Sequence, residues 1–217
     1  MRPSELADRV RWKLAQRHAR PGRYDPKRFW QARATELIHR YDDTSSSWGR
    51  RGWMEGGVEE ELVPRWLREL GCASVLVAGA GSGRQYAYLL AEGFDVEGFD
   101  IAPRLVRECR RRFPEVRTTE ASVVDAPRSH EPADAVLCSG VLQHVPPEEI
   151  GQALDALTAL ARKAIVLREL TTLDVASAYQ WAHDYRSLLG GWREARAEAT
   201  DERVGMRVEL MAFVRPL

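Results

Sequence analysis

The chain contains the sequence Ser74-Val75-Leu76-Val77-Ala78-Gly79-Ala80-Gly81-Ser82-Gly83, an apolar run that ends in three glycines at alternate positions. The run is rich in β-branched residues and predicts a buried parallel strand, and residues 84–90 predict the helix that follows the turn. Glycine permits positive φ and a close approach of a ligand to the backbone, and the start of the next helix offers unpaired N–H groups. We therefore expect a cofactor to lie across this turn.

The spacing of the glycines narrows the class of cofactor. A dinucleotide fold uses G-x-G-x-x-G, whereas this turn has Gly79-x-Gly81-x-Gly83 and carries Arg84 at the sixth position. No Gly-Lys-Ser/Thr follows, which excludes a phosphate-binding P-loop. The turn therefore indicates a nucleotide-like cofactor of another kind.

The length and charge of the chain limit the number of domains and the classes of binding partner. The chain has 217 residues, enough for one good-sized domain with an N-terminal extension, and its 32 basic side chains equal its 32 acidic ones. No overall field attracts nucleic acid or an acidic membrane. Residues 1–53 carry 13 basic against 6 acidic side chains. We favour a solvated helical surface for this arm over contact with nucleic acid.

Cysteine usage and hydropathy indicate the compartment. Cys72, Cys109 and Cys138 are far apart and form no C-x-x-C pair, which argues against a disulfide framework or a zinc site. No other cluster has metal-ligand spacing. No apolar run approaches the roughly 20 residues needed to cross a bilayer, and no signal-peptide pattern is present. We expect a cytoplasmic protein without a membrane partner.

The N-terminal part predicts helices followed by a loop. Residues 4–18 and 26–41 have helical apolar stripes, neither of which is stable alone, so each should pack on the main domain or on a partner chain, for example in a homodimer. Residues 41–53 have no period and contain Trp48 and Trp53. These tryptophans either cover a bound substrate or pin the loop onto the core.

The rest of the chain alternates between helix and strand. We divide it into an extension with a lid loop over 1–56 and a domain over 57–217. The pattern predicts an α/β fold with a Rossmann-like seven-stranded sheet, mostly parallel, closed by an antiparallel C-terminal hairpin, with helices on both faces. The predicted strands are 74–78, 95–100, 116–122, 133–139, 163–170, 192–200 and 206–215, and the predicted helices are 58–70, 84–92, 102–113, 147–162 and 177–189.

Ligands of open α/β sheets bind at the carboxyl ends of the strands. Asp100 ends the second strand of this sheet, 19 residues after Gly81, where a carboxylate can accept both hydroxyls of a ribose. Asp100 could instead cap the helix that follows it. We favour the ribose because spacing and strand-end position agree. The other strand ends place residues 122–125, 139–144 and 168–170 at the same edge.

From Ser74 to Leu217 the sequence resembles the class I S-adenosylmethionine-dependent methyltransferases. The resemblance rests on several motifs in order: the glycine turn, Asp100, the strand before Cys138-Ser139-Gly140-Val141-Leu142-Gln143-His144-Val145, and the closing hairpin. The segment Gln143-His144-Val145-Pro146-Pro147 is similar to the branch that acts on small molecules. The resemblance implies methyl transfer from S-adenosylmethionine to an oxygen or nitrogen of a small acceptor, with S-adenosylhomocysteine as the product.

The resemblance also implies roles for individual residues. The glycine turn, with Ala80, would approach the methionine part of the cofactor, and Asp100 its ribose. The remaining cofactor contacts implied are Ile101 on the adenine face, Ser122 and Val123 at the adenine edge, and Ser139. On the substrate side we expect Gln143 and Arg168 at the strand ends, with the N-terminal helices and the loop of Trp48 and Trp53 as a cover over the acceptor.

Two positions depart from the family pattern. The family commonly has an acidic residue two positions before its first glycine, where this chain has Val77, and it commonly has Asp where Ser122 aligns. Both departures remove polar anchors for the cofactor, although Asp125 could replace the second. These departures leave open a non-catalytic binding or assembly protein that retains the fold. The basic arm separately leaves open an RNA methyltransferase.

Methyl transfer is an in-line displacement, so the enzyme mainly has to align the acceptor atom with the methyl group. A general base is needed only where the acceptor must lose a proton. His144 at the end of the fourth strand is one candidate, and a structural role in its loop is the alternative. His183 and Tyr185 form a second candidate pair, which could otherwise only orient the helix before the hairpin.

Overall fold

The computed structural model describes residues 19–20, 23–42, 57–174 and 177–216. Two short strands, β1 (Ala19–Arg20) and β2 (Arg23–Tyr24), pair antiparallel ahead of helix α1 (Pro26–Asp42). Helix α2 (Gly57–Glu69) then leads into the main sheet. The predicted helix over 4–18 and the loop tryptophans Trp48 and Trp53 lie outside the described residues.

The main sheet of the described residues has seven strands: β3 (Ser74–Ala78), β4 (Asp95–Asp100), β5 (Arg117–Glu120), β6 (Ala133–Ser139), β7 (Ala161–Leu173), β8 (Arg193–Arg203) and β9 (Met206–Val214). Their order in the sheet is β5-β4-β3-β6-β7-β9-β8. Strands β3 to β7 are parallel, and β9 runs antiparallel between β7 and β8. This arrangement confirms the predicted fold class. The helices are α3 (Arg84–Ala91), α4 (Pro103–Arg112), α5 (Ile150–Leu160) and α6 (Tyr185–Leu188), with 3-10 turns at Ala126–Arg128 and Leu142–His144.

Strand β3 is buried on both faces, which explains its unbroken apolar sequence. Successive side chains of a strand point to opposite faces. Val75 and Val77 accordingly pack with α2 and α3, whereas Leu76 and Ala78 pack with α5. The centre of the sheet is thus fixed by two hydrophobic layers.

Helix α1 packs on the main domain at the carboxyl ends of the strands. Ala34 contacts Ala102 and Leu105 at the start of α4. Phe29 is fully buried and its ring lies 5.0 Å from that of Tyr179. The apolar stripe predicted over 26–41 therefore covers the strand ends of its own chain.

Two predicted helices have different bounds. Only Tyr185–Leu188 is helical within 177–189, because the backbone before it bonds to another segment: Trp181 N donates to Gln143 O at 2.8 Å. The helix predicted over 147–162 is confined to Ile150–Leu160. The residues after it join β7, which is longer than predicted because β9 pairs along it from Ala164 to Leu173.

A truncation at the centre of the sheet tests this core. Leu137 on β6 is fully buried, so we expect Leu137→Ala to lower the free energy of unfolding by about 2–5 kcal/mol through lost contacts and the cavity left behind. Leu188→Ala is the matched control, since Leu188 is 43% exposed and should change stability by no more than about 0.5 kcal/mol. Urea unfolding followed by circular dichroism measures both. Equal losses in the two variants would contradict this core.

Candidate functional site

The turn after β3 requires glycine at specific positions. Gly79, Gly81 and Gly83 have φ values of 73°, 59° and 90°, which side chains rarely adopt. A Cβ atom on Gly79 would lie 2.2 Å from Val141 Cγ2, and one on Gly83 would lie 2.6 Å from the ring of Phe113. The turn is therefore built so that its backbone meets its surroundings without side chains between them.

Asp100 at the end of β4 is bonded to this turn. Its Oδ2 accepts a hydrogen bond from Gly81 N at 2.9 Å, and its Oδ1 accepts one from Ala102 N at 2.8 Å. Burial raises the pKa of the carboxyl to about 6. Each carboxylate oxygen can accept more than one hydrogen bond, so the contact at the start of α4 is compatible with a ligand contact as well.

A cavity of about 560 Å³ opens at the carboxyl ends of the strands, beneath α1. This volume is in the range that small-molecule sites occupy. Its lining brings together most of the residues predicted from the sequence: Gly79, Gly81, Asp100, Ile101, Ser122, Val123, Ser139, Gln143, His144 and Arg168. The cavity thus collects residues from the ends of five neighbouring strands, β5-β4-β3-β6-β7, and the loops that follow them.

Some predicted residues do not line this cavity. Ala80 is buried behind the turn, and Gly83 lies against Phe113. Tyr185 is in the hydrophobic core, and His183 Nε2 donates to Val145 O at 3.0 Å. Tyr185 and His183 therefore support the loop after β6 from outside the cavity.

The side chain of Asp125 does not replace the missing adenine anchor. It is exposed, accepts a hydrogen bond from Ser122 Oγ at 2.7 Å, and pairs with Arg128 at 2.7 Å. It is not among the residues that line the cavity. Ser122 itself does line the cavity, and its side chain offers a hydroxyl there.

Helix α1 supplies one wall of the cavity. Trp30, Arg33 and Leu37 line the cavity. The Trp30 ring meets the His144 ring edge-on with centroids 4.6 Å apart, and the Arg33 guanidinium lies 5.2 Å from the Trp30 ring while pairing with Glu36. The sequence predicted that this helix would help to cover an acceptor, but it did not identify Trp30, Arg33 and Leu37 as the residues of the wall.

His144 is a neutral imidazole with defined hydrogen bonds. It is buried, and burial lowers its pKa to about 4. Its Nδ1 lies 2.7 Å from Tyr179 O, a carbonyl that can only accept, so Nδ1 carries the proton. Nε2 is then the acceptor, 3.2 Å from the Gln143 side-chain nitrogen that donates to it.

Glu169 positions the loop that carries Gln143 and His144. Its buried carboxylate accepts hydrogen bonds from Val141 N at 2.8 Å, Leu142 N at 3.0 Å and Gln143 N at 3.1 Å. Burial raises the pKa of this carboxyl to about 7, against the effect of these hydrogen bonds. Glu169 is therefore an anchor of the loop rather than a salt-bridge partner of its neighbour on the strand.

Arg168 points to the other face of β7 and belongs to a buried charge cluster around Glu59 of α2. Glu59 Oε2 lies 2.8 Å from Arg84 Nη2, 3.7 Å from Arg168 Nε and 3.0 Å from Ser139 Oγ. Further bonds to Glu59 come from Gln85 and Tyr88. Burial raises the pKa of Glu59, but the two arginines outweigh it and hold the pKa below its usual value.

Sequence reasoning missed Glu59, although a signal was present. Glu59 stands on the same helical stripe as Val63, Trp66 and Leu67, all of which are buried in the core. A carboxylate on such a stripe must be paired when the helix packs. The stripe therefore predicts a buried partner for Glu59, but it does not identify the arginines.

Two further properties concern the described part of the chain. None of its helices combines the length and the hydropathy that crossing a bilayer requires. Within the same residues, no three His, Cys, Asp or Glu side chains converge as a metal site. Its cysteines, Cys72, Cys109 and Cys138, are buried and unpaired.

Comparison with known proteins gives one family and one curated relative. Residues 75–164 match the family described as a methyltransferase domain. Over 103 residues the chain is 35% identical to a glycine/sarcosine N-methyltransferase of Parasynechococcus marenigrum. That match covers 45% of this chain and 35% of the relative, so only about a third of the relative's length is represented.

Solved structures share the fold over nearly the whole chain. The magnesium protoporphyrin IX methyltransferase of Synechocystis, with bound S-adenosylmethionine, superimposes with a TM-score of 0.71 at 23% identity and covers 88% of this chain and 95% of its own. The 1,6-didemethyltoxoflavin-N1-methyltransferase of Burkholderia thailandensis has a TM-score of 0.60 at 22% identity, with 84% and 86% covered. At these identities the likeness establishes the fold.

The anchoring role of Glu169 can be tested by its stability and pH dependence. Glu169→Gln should lower the free energy of unfolding by about 1–3 kcal/mol, since an amide cannot accept all three backbone N–H bonds. A carboxyl whose pKa is raised on folding loses stability as pH rises from its unfolded pKa to its folded one, here about 7, and Gln does not titrate. The advantage of the wild type should therefore shrink between pH 4.5 and pH 7.

Urea unfolding at pH 5 and pH 8 measures this difference. Glu148→Gln serves as a control because Glu148 is exposed, and it should leave stability unchanged at both pH values. An advantage of the wild type over Glu169→Gln that grows with pH would contradict the assignment.

Proposed function

We propose that this chain, whose residues 75–164 match the family described as a methyltransferase domain, transfers a methyl group from S-adenosylmethionine to an oxygen or nitrogen of a small-molecule acceptor. One observation carries the proposal: a single cavity beneath α1 is lined by the glycine turn, by Asp100 and by polar and aromatic side chains of the neighbouring loops. When bound, S-adenosylmethionine supplies an activated methyl group on a sulfonium, and S-adenosylhomocysteine is the product.

The described residues fit this cofactor. The turn brings Gly79 and Gly81 to the cavity without side chains, so a ligand can approach the backbone. Asp100 offers a carboxylate for the ribose hydroxyls. Ile101 and Leu105 supply an apolar wall for the adenine, with Ser122 and Val123 at its edge and Ser139 toward the methionine part.

The outer part of the cavity is suited to the acceptor. Trp30 and Tyr179 offer aromatic surfaces, while Gln143 and His144 offer polar atoms. Because transfer to a bound acceptor is mainly a matter of alignment, these side chains would orient the acceptor atom. His144 can accept a hydrogen bond from the acceptor through Nε2 if Gln143 turns away. With a pKa of about 4 it stays unprotonated at neutral pH.

The acceptor class and the remaining assignments rest on similarity and on position. The matching proteins include methyltransferases named for glycine or sarcosine, for magnesium protoporphyrin IX and for 1,6-didemethyltoxoflavin, which supports a small-molecule acceptor. We further propose that residues 1–56 cover the acceptor, that 57–217 form the methyltransferase domain, and that the protein acts in the cytoplasm. His183 and Tyr185 are retained only as supports of the loop after β6.

The alternatives differ in what supports them. The non-catalytic interpretation rests on Val77 and Ser122, but Val77 is part of the buried core and the cavity retains other polar groups. The RNA interpretation rests on the arm over 1–53, much of which lies outside the described residues, so it gains no support here. Binding of S-adenosylmethionine in equilibrium dialysis separates the enzyme from a protein that only retains the fold.

Cofactor affinity should depend on pH through Asp100. Ribose hydroxyls bind the ionised carboxylate, so the Kd for S-adenosylhomocysteine should rise as pH falls below about 6, by up to about tenfold per unit. Asp100→Asn should weaken binding by about 1–3 kcal/mol at pH 8 and remove this pH dependence. Titration calorimetry from pH 5 to pH 8 measures both effects. Unchanged affinity in the variant would remove Asp100 from the site.

Turnover tests the proposed reaction and the role of His144. Release of S-adenosylhomocysteine is measured with glycine, sarcosine and a panel of small heteroaromatic amines and phenols as acceptors. With any acceptor that is methylated, we expect His144→Ala to lower kcat/KM by about 10²-fold or more while cofactor affinity stays within about twofold. An unaltered kcat/KM would leave His144 with a role in the loop only.

A further inference from the structure

The buried cluster of Glu59, Arg84 and Arg168 is not explained by the proposed reaction as it stands. We propose that Arg84 and Arg168 bind the α-carboxylate of the cofactor's methionine part, and that Glu59 is the residue that positions them. The inference rests on the proposed use of S-adenosylmethionine.

The order of the strands places this cluster at the correct end of the cavity. Asp100 ends β4 on one side of β3, whereas β6 and β7 lie on the other side. Ser139 and Arg168 are paired in register at the ends of β6 and β7. A ligand whose ribose lies at Asp100 and which crosses the glycine turn therefore has its far end at Arg168.

Arg84 reaches the same place from the turn itself. It is the first residue of α3 and follows Gly83 directly. Both Arg84 and Arg168 line the cavity, and their side chains are only 13% and 9% exposed. Two guanidinium groups are thus held at the end of the cavity opposite to Ile101.

The chemistry of the cluster fits a carboxylate. A guanidinium has several N–H donors in a planar fork that matches a carboxylate, so it can contact Glu59 and a ligand together. Glu59 is 2% exposed and stays ionised, as its lowered pKa indicates. The other acidic groups near the pair are Glu60, at 4.0 Å from Arg84 and half-exposed, and Asp201 and Glu169 near Arg168.

Glu59 acts through the arginines because it is not itself among the residues that line the cavity. Its carboxylate reduces the repulsion between two guanidinium groups that are largely out of water. It also ties Ser139 Oγ at 3.0 Å to the same oxygen that Arg84 contacts. Removing its charge should therefore disorder the carboxylate site while leaving the ribose and adenine contacts in place.

The experiment compares three ligands that share adenosine. S-adenosylhomocysteine has the α-carboxylate, decarboxylated S-adenosylhomocysteine retains only the amino group, and 5′-deoxy-5′-methylthioadenosine lacks the whole amino acid. Titration calorimetry is carried out with the wild type, Arg84→Gln, Arg168→Gln, Arg168→Lys and Glu59→Gln. Arg65→Gln is the control, since Arg65 is exposed on α2 outside the cavity. Thermal melting confirms that each variant is folded.

We expect Arg84→Gln and Arg168→Gln to raise the Kd for S-adenosylhomocysteine roughly tenfold to a hundredfold. Glu59→Gln should raise it by about tenfold, and Arg168→Lys should recover part of the loss, since it retains the charge without the fork. The Kd for the two ligands without a carboxylate should stay within about twofold in every variant, and Arg65→Gln should match the wild type throughout.

Two results would overturn the proposal. One is an equal loss of affinity for all three ligands, which would make the cluster a support of the cavity in general. The other is unchanged affinity for S-adenosylhomocysteine in both arginine variants. Failure of the proposed function is distinguishable from either, because the wild type would then bind none of the three ligands.

Discussion

The parallel pairing of β3 with β4 on one side and β6 on the other is the constraint on which the rest depends. Parallel strands end at the same edge of the sheet, so the glycine turn, Asp100 and Ser139 must come together once these pairs form. Apolar side chains on both faces of β3 fix that pairing. The position of the site is therefore a consequence of how the core packs.

Buried carboxylates then fix the loops that the strands bring to this edge. Asp100 holds the glycine turn through Gly81 N, and Glu169 holds the loop after β6 through three backbone N–H groups. Glu59 joins α2 to Arg84 and Arg168. Each carboxylate loses its hydrogen bonds to water on burial, and hydrogen bonds from the chain replace them. Because these bonds form in only one arrangement, each loop has one preferred position. Preorganised loops are what alignment of an acceptor with a methyl group requires.

Aromatic packing completes the enclosure. Phe29 and Trp30 of α1 contact Tyr179 and His144 from elements far apart in the chain. The hydrogen bond from His144 Nδ1 to Tyr179 O ties the same two segments together. Burial of His144 in this group explains why its imidazole is neutral. The same contacts thus set both the protonation state of His144 and its role in the loop.

The sequence by itself determined the alternation of strands and helices, the glycine turn and the position of Asp100 at a strand end. Each of these features depends on the period, spacing or glycine content of short segments. The sequence also determined that α1 would bury a face. Only the tertiary structure decided which charges meet, since Glu59, Arg84 and Arg168 come from three separate elements. It likewise removed Tyr185 from the cavity and brought Trp30 into it, because the direction of a side chain depends on how distant elements pack.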